Sequence, residues 1–318
     1  MTVFIDPPNW PAHGTVFSHL ISDTSLQELH AIADSAGISI RAFDQDHYDV
    51  PAHRYADLLA LGAAPVSGRE LTRILLGCGL RIPAAQRPEK LRGTLARAWT
   101  RLGLQWLDPA DDGAGASRSA SASGQAWAQL GEELLDRWSE PHRHYHSLTH
   151  LAAVLRHVAF LDRAGELAPD QRRVVALAAW FHDAVYSGAA GEDEEASARL
   201  AEVRLEPVLA VSSIQETARL VRLTTGHDPV PEDGNGAVLV DSDLAVLGQT
   251  PTDYARYADA VRRDFAQVTD ADFHRGRSQV LLRLLDQPTL FRTVTGRQRW
   301  EQQARLNLRE ELERLRLR

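Results

Sequence analysis

The chain of 318 residues has a single cysteine, Cys78, and a single methionine. One cysteine excludes an internal disulfide framework and a zinc site built from clustered cysteines. No uninterrupted apolar run approaches the ~18 residues that a membrane-spanning helix needs, so no membrane partner is expected. The opening Met1-Thr-Val-Phe-Ile-Asp6 has no basic n-region, which points to a cytoplasmic location rather than secretion. A formal charge of −8 argues against binding nucleic acid through a basic surface. Lysine is almost absent as well. Of 35 basic residues only Lys90 is a lysine, a bias spread over the whole chain that reads as coding composition rather than as a phosphate site. What remains is ordinary globular usage, 44% apolar and 25% charged, over a length of roughly two domains.

The low-complexity stretch Asp108 to Gly124, DPADDGAGASRSASASG, has no apolar period and reads as a flexible insert or linker. A softer break lies at Pro83 to Pro88. The helix-spaced residues Leu91, Leu95, Trp99 and Trp106 between these breaks are assigned to the second part. The division is therefore a small domain over 1–90 and a larger one over 91–318. In the first, short apolar runs at Val3–Ile5, Ile38–Phe43 and Ala64–Val66 alternate with helices. Ser25-Leu-Gln-Glu28 and Ser67-Gly-Arg-Glu70 open two of those helices as capping boxes. Strand–helix repeated three times predicts an α/β unit with a short parallel sheet. From Gln125 onward the periodicity is helical throughout, so the chain as a whole is α+β with an all-α second domain.

His142, His144, His146 and His150 lie within nine residues, where thirteen histidines in 318 predict only about 0.4. A helix from His146 to Leu161 would stack His146 and His150 on one face. That suits two ligands, or one ligand and one acid–base group. His182-Asp183 ends the nearly unbroken apolar helix Val174 to Phe181, where burying an ionisable pair is costly without a compensating ion. Asp241 and Asp243 lie inside the apolar run Val238 to Leu247. Asp241 also fits as the N-cap of a short helix.

His150, His182-Asp183 and Asp243, in that order on helices, resemble the H…HD…D pattern of the HD-domain superfamily of metal-dependent phosphohydrolases. The strings Pro141-His-Arg-His-Tyr-His146-Ser-Leu-Thr-His150, Trp180-Phe-His-Asp-Ala-Val-Tyr186 and Asp241-Ser-Asp-Leu-Ala-Val-Leu-Gly248 are similar to a bacterial branch of predicted phosphohydrolases. The resemblance runs from about residue 95 to 295. It implies an all-α domain with His150, His182, Asp183 and Asp243 as metal ligands, and Asp183 among the catalytic groups. Tyr145-His146 followed by His150 also resembles the Tyr-His-Asn-x-x-His string of cyclic-nucleotide phosphodiesterases, with Ser147 where that string has Asn. That likeness implies His146 as the proton donor to the leaving oxygen. The donor set suits Mn²⁺, Fe²⁺, Co²⁺ or Zn²⁺ better than an all-oxygen Mg²⁺ site. Glu194, Glu195, His227 and Asp241 are candidates for a second metal or for substrate.

In the first domain Asp6, Asp46 and His47 follow strand candidates, where an α/β sheet collects ligands. The start of the Ser67-Gly68 helix offers an anion seat. Turn formation accounts for the same residues. Asp6-Pro-Pro-Asn-Trp10 and Asp44 to Pro51 resemble a small bacterial domain family without an assigned function, over residues 1 to about 85. The expected activity is therefore metal-dependent hydrolysis of a nucleotide or other small phosphate ester. An HD-type di-iron oxygenase and a non-catalytic metal- or nucleotide-binding regulatory module stay open beside it. Substrate, metal and oligomeric state are not legible.

Overall fold

A computed structural model describes residues 2–12, 14–44, 46–78, 80, 88–107, 116–189 and 191–316. Contacts divide the chain into two units, Met1–Arg87 and Pro88–Arg318.

The first unit runs β1 (Val3–Ile5), β2 (Trp10–Ala12), β3 (Thr15–Ser22), α1 (Leu26–Ser35), β4 (Tyr48–Pro51), α2 (Tyr55–Ala60), β5 (Ala64–Pro65) and α3 (Gly68–Gly77). Leu20 pairs with Ile5 and with Tyr48, and Phe17 pairs with Trp10 and with Pro51. Strands β1 and β2 therefore lie end to end along one edge of β3, and β4 lies along the other. All of these pairings are antiparallel. Among the described strands only β1 and β5 run parallel, so the sheet is mixed and the expectation of a parallel sheet is corrected. Two local features explain the difference. Gly14, at φ +76°, allows the tight reversal that joins β2 to β3, and Pro11 is tolerated because β2 needs few ladder bonds at an edge. The apolar run Ile38–Phe43 is not a strand. Ser39 Oγ accepts from Arg41 N at 3.3 Å and closes a 3-10 turn over Ile40–Ala42.

The period of two along β3 sorts its side chains between two layers. Leu20 shares a face with Ile5, Tyr48 and Val50, packed with Leu29 and Ala33 of α1 and Leu58 of α2. Ile21 points the other way, with Phe4, onto Leu71 and Leu75 of α3. His19 belongs to that second face, two residues from Ile21. Both expected capping boxes form their N-cap bonds, Ser25 Oγ accepting from Glu28 N and Ser67 Oγ from Glu70 N, each at 3.2 Å.

The second unit is all-helical: α4 (Pro88–Leu107), α5 (Ala116–Arg137), α6 (Leu148–Arg163), α7 (Arg172–Phe181), α8 (Glu192–Leu205), α9 (Val211–Leu223), α10 (Gly234–Leu244), α11 (Pro251–Asp264), α12 (Asp270–Asp286) and α13 (Val294–Arg316). Among the described residues no helix is long and apolar enough to cross a membrane. Residues 116–124, expected as linker, form the start of α5. Alanine is the best helix former and serine only mildly unfavourable, so a missing apolar stripe does not forbid a helix there. The rest of that stretch, 108–115, lies outside the described residues, as do 83–87. Helix α9 starts at Val211, with Ala210 as its N-cap. The α4–α5 contact is set by Trp99 and Trp127, stacked at 4.2 Å. Each indole N–H donates to the other's backbone carbonyl, at 2.8 and 3.0 Å. Gly103 and Gly131 leave the room, since a Cβ at either would collide with the opposite indole.

His157 of α6 links three helices. Its ring packs on Trp300 of α13, and Nδ1 donates to the Ser242 carbonyl of α10 at 3.2 Å. Burial lowers its pKa to about 4, against the opposing pull of that carbonyl. The unfolded chain takes up this proton near pH 6.5 and the folded chain only near 4. Stability from this group is thus complete above pH 6.5 and lost as pH falls toward 4, by on the order of 3 kcal/mol. Urea denaturation at a series of pH values should show that slope, and His157→Phe should flatten it by one proton. An unaltered slope in the variant would refute this account of the acid lability.

Candidate functional site

Three helix ends meet in the second unit. His150 is the third residue of α6, His182 and Asp183 follow directly on α7, and Asp243 is the last but one residue of α10. His150 Nε2 lies 3.1 Å from His182 Nε2 and 3.1 Å from Asp243 Oδ1. Asp183 Oδ2 lies 3.1 Å from His182 Nε2 and 3.6 Å from His150 Nε2. Among the described residues of this unit, His150, His182 and Asp243 are the group whose ligand atoms all fall within 4.8 Å of one another. The apolar helix α7 delivers His182 into the core, where its side chain is 1% exposed. Its Nδ1–H donates to the Ala179 carbonyl at 2.9 Å, which aims Nε2 into the cluster and makes it the lone-pair nitrogen whenever the ring is neutral. The buried indole of Trp138 lies against both rings, 5.4 Å from His182 and 6.1 Å from His150.

This donor set fits a metal ion. Bonds of about 2.1 Å at angles between octahedral and tetrahedral put ligand atoms roughly 3.0–3.4 Å apart, which covers the His–His spacing. Two protonated imidazoles aimed at each other at that distance would repel. Burial pushes the Asp243 carboxyl up, but hydrogen bonds from His150 and His227 and the neighbouring imidazoles hold it well below the usual carboxylate range. Asp183 is held low in the same way by His182 and His150. Burial pulls His182 down, yet Asp183 and Asp243 carry it up to about 9. Two ionised carboxylates in a low-dielectric core require positive charge. Imidazole protons meet that need here, and a divalent cation would meet it while releasing them.

The surroundings hold these groups through backbone. Arg143, with a fully buried side chain, donates from Nη1 to the carbonyls of Asp183 (2.6 Å) and His146 (3.2 Å), from Nη2 to Ala184 (3.1 Å), and from Nε to Glu140 (2.9 Å). It ties the His-Asp turn to the entry of α6. His146 stands before that helix, whose N-cap is Ser147, so it does not share the helical face expected of it. Its ring nevertheless comes within 5.7 Å of His150 and stacks on Tyr186 at 4.2 Å. Asp264, the last residue of α11 with its side chain fully buried, accepts from His146 Nδ1 at 3.0 Å and from the backbone N–H of His144 at 2.5 Å. Those bonds, after the cost of burial, lower its pKa to about 2.

The other expected residues divide. His227 donates from Nε2 to Asp243 Oδ2 at 2.8 Å, from a backbone at φ +53°, the only positive φ at a described non-glycine residue. Glu194 instead caps α8 through Gly191 N at 2.5 Å. Glu195 is paired with Arg199 and Arg222. Asp241 is fully buried and accepts from the N–H groups of Arg292 and Thr293 and from Thr293 Oγ1, a clamp on the head of α13. Burial pushes its pKa up to about 6 in spite of those bonds. In the first unit Asp46 pairs with His47 at 2.6 Å, while Asp6 is joined to His19, which the sequence reading passed over. Burial pulls His47 down, but Asp46 and Asp49 raise it to about 9. Asp264, Arg143 and His19 carried no local signal. The first is an acidic residue at a helix end, the second one of four arginine or histidine neighbours, the third a polar position in an unrecognised strand.

Residues 3–77 match the family model described as "Protein of unknown function (DUF4031)". No HD family model matches the helical region that follows. No curated protein and no solved structure matches the chain.

Arg143 offers a test of how the site is held. Lysine retains the charge but not the planar fork that serves three carbonyls at once. Arg143→Lys should lose about 2–4 kcal/mol of stability in urea unfolding and weaken metal uptake. Wild-type stability together with wild-type metal uptake in this variant would show that the fork is dispensable.

Proposed function

We propose that the helical unit is a metal-dependent phosphohydrolase of the HD class, acting on a nucleotide or another small phosphate ester, in the cytoplasm. The observation that carries the reading is the convergence of His150, His182, Asp183 and Asp243, in the order H…HD…D, on one buried point. These four would hold a divalent ion, with Mn²⁺, Fe²⁺, Co²⁺ or Zn²⁺ better suited than Mg²⁺. Bound there, such an ion supplies Lewis acidity toward a phosphoryl oxygen and makes water nucleophilic near neutral pH.

The remaining work falls to the chain itself. His150 and His182 are almost wholly buried, whereas Asp183 keeps 18% of its side chain exposed and is placed to orient water. His146 has 22% of its side chain exposed, with Nδ1 committed to Asp264. Its Nε2 is then the atom that protonates a leaving oxygen. Asp264 fixes the ring and its orientation, as a carboxylate behind a general acid does. His227, through Asp243 Oδ2, orients a ligand carboxylate. The engagement of Glu194 in a helix cap and of Glu195 with arginines favours this hydrolase over a two-metal oxygenase, which would draw on those carboxylates.

The test separates ligand from acid. His182→Ala should lose its metal and any phosphate release together, as read by elemental analysis and by a panel of nucleotides and sugar phosphates. His146→Ala should keep its metal and turn over ~10²–10⁴-fold more slowly, with a smaller defect on aryl phosphates, whose leaving groups need less protonation. Full metal content and full activity in His182→Ala would refute the site. Metal uptake by the wild type without turnover on any phosphate ester would favour the regulatory module.

A further inference from the structure

The first unit carries a second constellation that the helical site does not use. His19 on β3 and Asp49 on β4 are direct cross-strand partners, so their side chains share the sheet face on which α3 packs. His47 precedes β4, and its ring lies 5.1 Å from that of His19, edge to face. Each imidazole has its own carboxylate behind it. Asp6, 2% exposed, accepts from His19 Nδ1 at 3.0 Å through Oδ2 and from the His19 backbone N–H at 2.5 Å through Oδ1. Asp46, fully buried, accepts from His47 Nδ1 at 2.6 Å. With Nδ1 committed on both rings, both Nε2 atoms face one carboxylate oxygen. Asp49 Oδ1 lies 3.5 Å from His47 Nε2 and 3.9 Å from His19 Nε2.

We propose that His19, His47 and Asp49 hold a divalent transition-metal ion, with Asp6 and Asp46 orienting the two imidazoles. A carboxylate behind each ligating histidine is the usual arrangement around a protein-bound transition metal. It sets the tautomer, aims the ring and raises ligand basicity. The three ligand atoms already fall within 4.8 Å of one another. Tetrahedral bonds of about 2.0–2.1 Å would bring them to roughly 3.3–3.4 Å, a closure of about half an ångström between His19 and Asp49. Two imidazoles and one carboxylate select a borderline-soft ion such as Zn²⁺, Co²⁺ or Fe²⁺ over Mg²⁺ or Ca²⁺.

The site is open on one side. Asp49 is 48% and His19 25% exposed at the side chain, and Trp10, 53% exposed, stands with its ring 5.1 Å from His19 and its indole N–H on Asp6 Oδ2 at 3.0 Å. Three protein ligands with one accessible side are the pattern of a metal that keeps a position for water or substrate, rather than of a closed structural ion. Gly68, at the start of α3, belongs to the design. A side chain there would come within 3.2 Å of Asp6 Oδ2 and disturb the carboxylate behind His19.

The experiment is a Zn²⁺ titration of the metal-stripped full chain against a chromophoric chelator. The helical site adds its own equivalents, so the quantity read is the difference between variant and wild type. A His19→Gln, His47→Gln double variant should bind one tight equivalent fewer. Asp6→Asn and Asp46→Asn should keep that equivalent with 10–100-fold weaker affinity. Far-UV circular dichroism checks that the variants fold. A second measurement needs no variant: crystals of the wild type grown with Zn²⁺ should give an anomalous peak at the zinc edge between His19, His47 and Asp49. Equal stoichiometry and affinity in folded variants and wild type, or no peak at this position in Zn²⁺-saturated crystals, would overturn the proposal.

Discussion

Two ionised carboxylates in an apolar interior place the governing demand on the helical unit. Asp183 and Asp243 sit where helices α6, α7 and α10 converge, and a low-dielectric surrounding penalises each charge by several kcal/mol unless positive charge lies beside it. His150 and His182 supply that charge from positions where their Nε2 atoms face each other, and His227 donates to the second oxygen of Asp243. The arrangement is poor as a set of ion pairs for stability alone. A leucine and phenylalanine filling would stabilise the core at least as well. Its sense lies in what the converging lone pairs can hold.

Almost everything around the cluster can be traced to that demand. Arg143 commits both Nη groups to carbonyls of the His-Asp turn and the approach to α6, so the backbone carrying Asp183 is tied to the backbone carrying His150. Trp138 covers both imidazoles with an indole whose N–H is already satisfied by the Trp180 carbonyl, adding bulk without a competing donor. His227 accepts a left-handed backbone, a conformation that costs a non-glycine residue on the order of 1 kcal/mol, in order to reach the second oxygen of Asp243. Asp264 does for His146 what the Ala179 carbonyl does for His182. Each occupies one ring nitrogen and leaves the other for chemistry.

The first unit arrives at a related solution from a different scaffold. A long central strand and its neighbour bring His19 and Asp49 into register, and two buried carboxylates, Asp6 and Asp46, stand behind the histidines. A sheet gives a cross-strand pair a fixed separation near 5 Å, whereas helix ends can be brought closer. That explains why the helical cluster is tighter than the one on the sheet. It also explains why the sheet site keeps an open side: its far wall is solvent and one exposed indole.

The amino-acid sequence by itself determined the helical character of the second unit and the caps at Ser25 and Ser67, while its resemblance to the H…HD…D pattern put His150, His182, Asp183 and Asp243 in one group. Helical periodicity is a local property, capping is a contact over three residues, and a histidine–aspartate pair ending an unbroken apolar helix is conspicuous on its own. Long-range pairing decided the rest. Strand β3 was hidden because His19 and Ser18 interrupt its apolar pattern, and the mixed order of the sheet follows from a hairpin whose glycine turn leaves little trace in composition. Asp264 is 118 residues from the histidine it orients, Asp49 is 30 from its partner, and Glu194 and Glu195 were drawn away by a backbone N–H and by arginines of α8 and α9. Local pattern reports which face of a segment is apolar. Only the packing of segments decides which polar groups on the remaining faces end up within a bond length of each other.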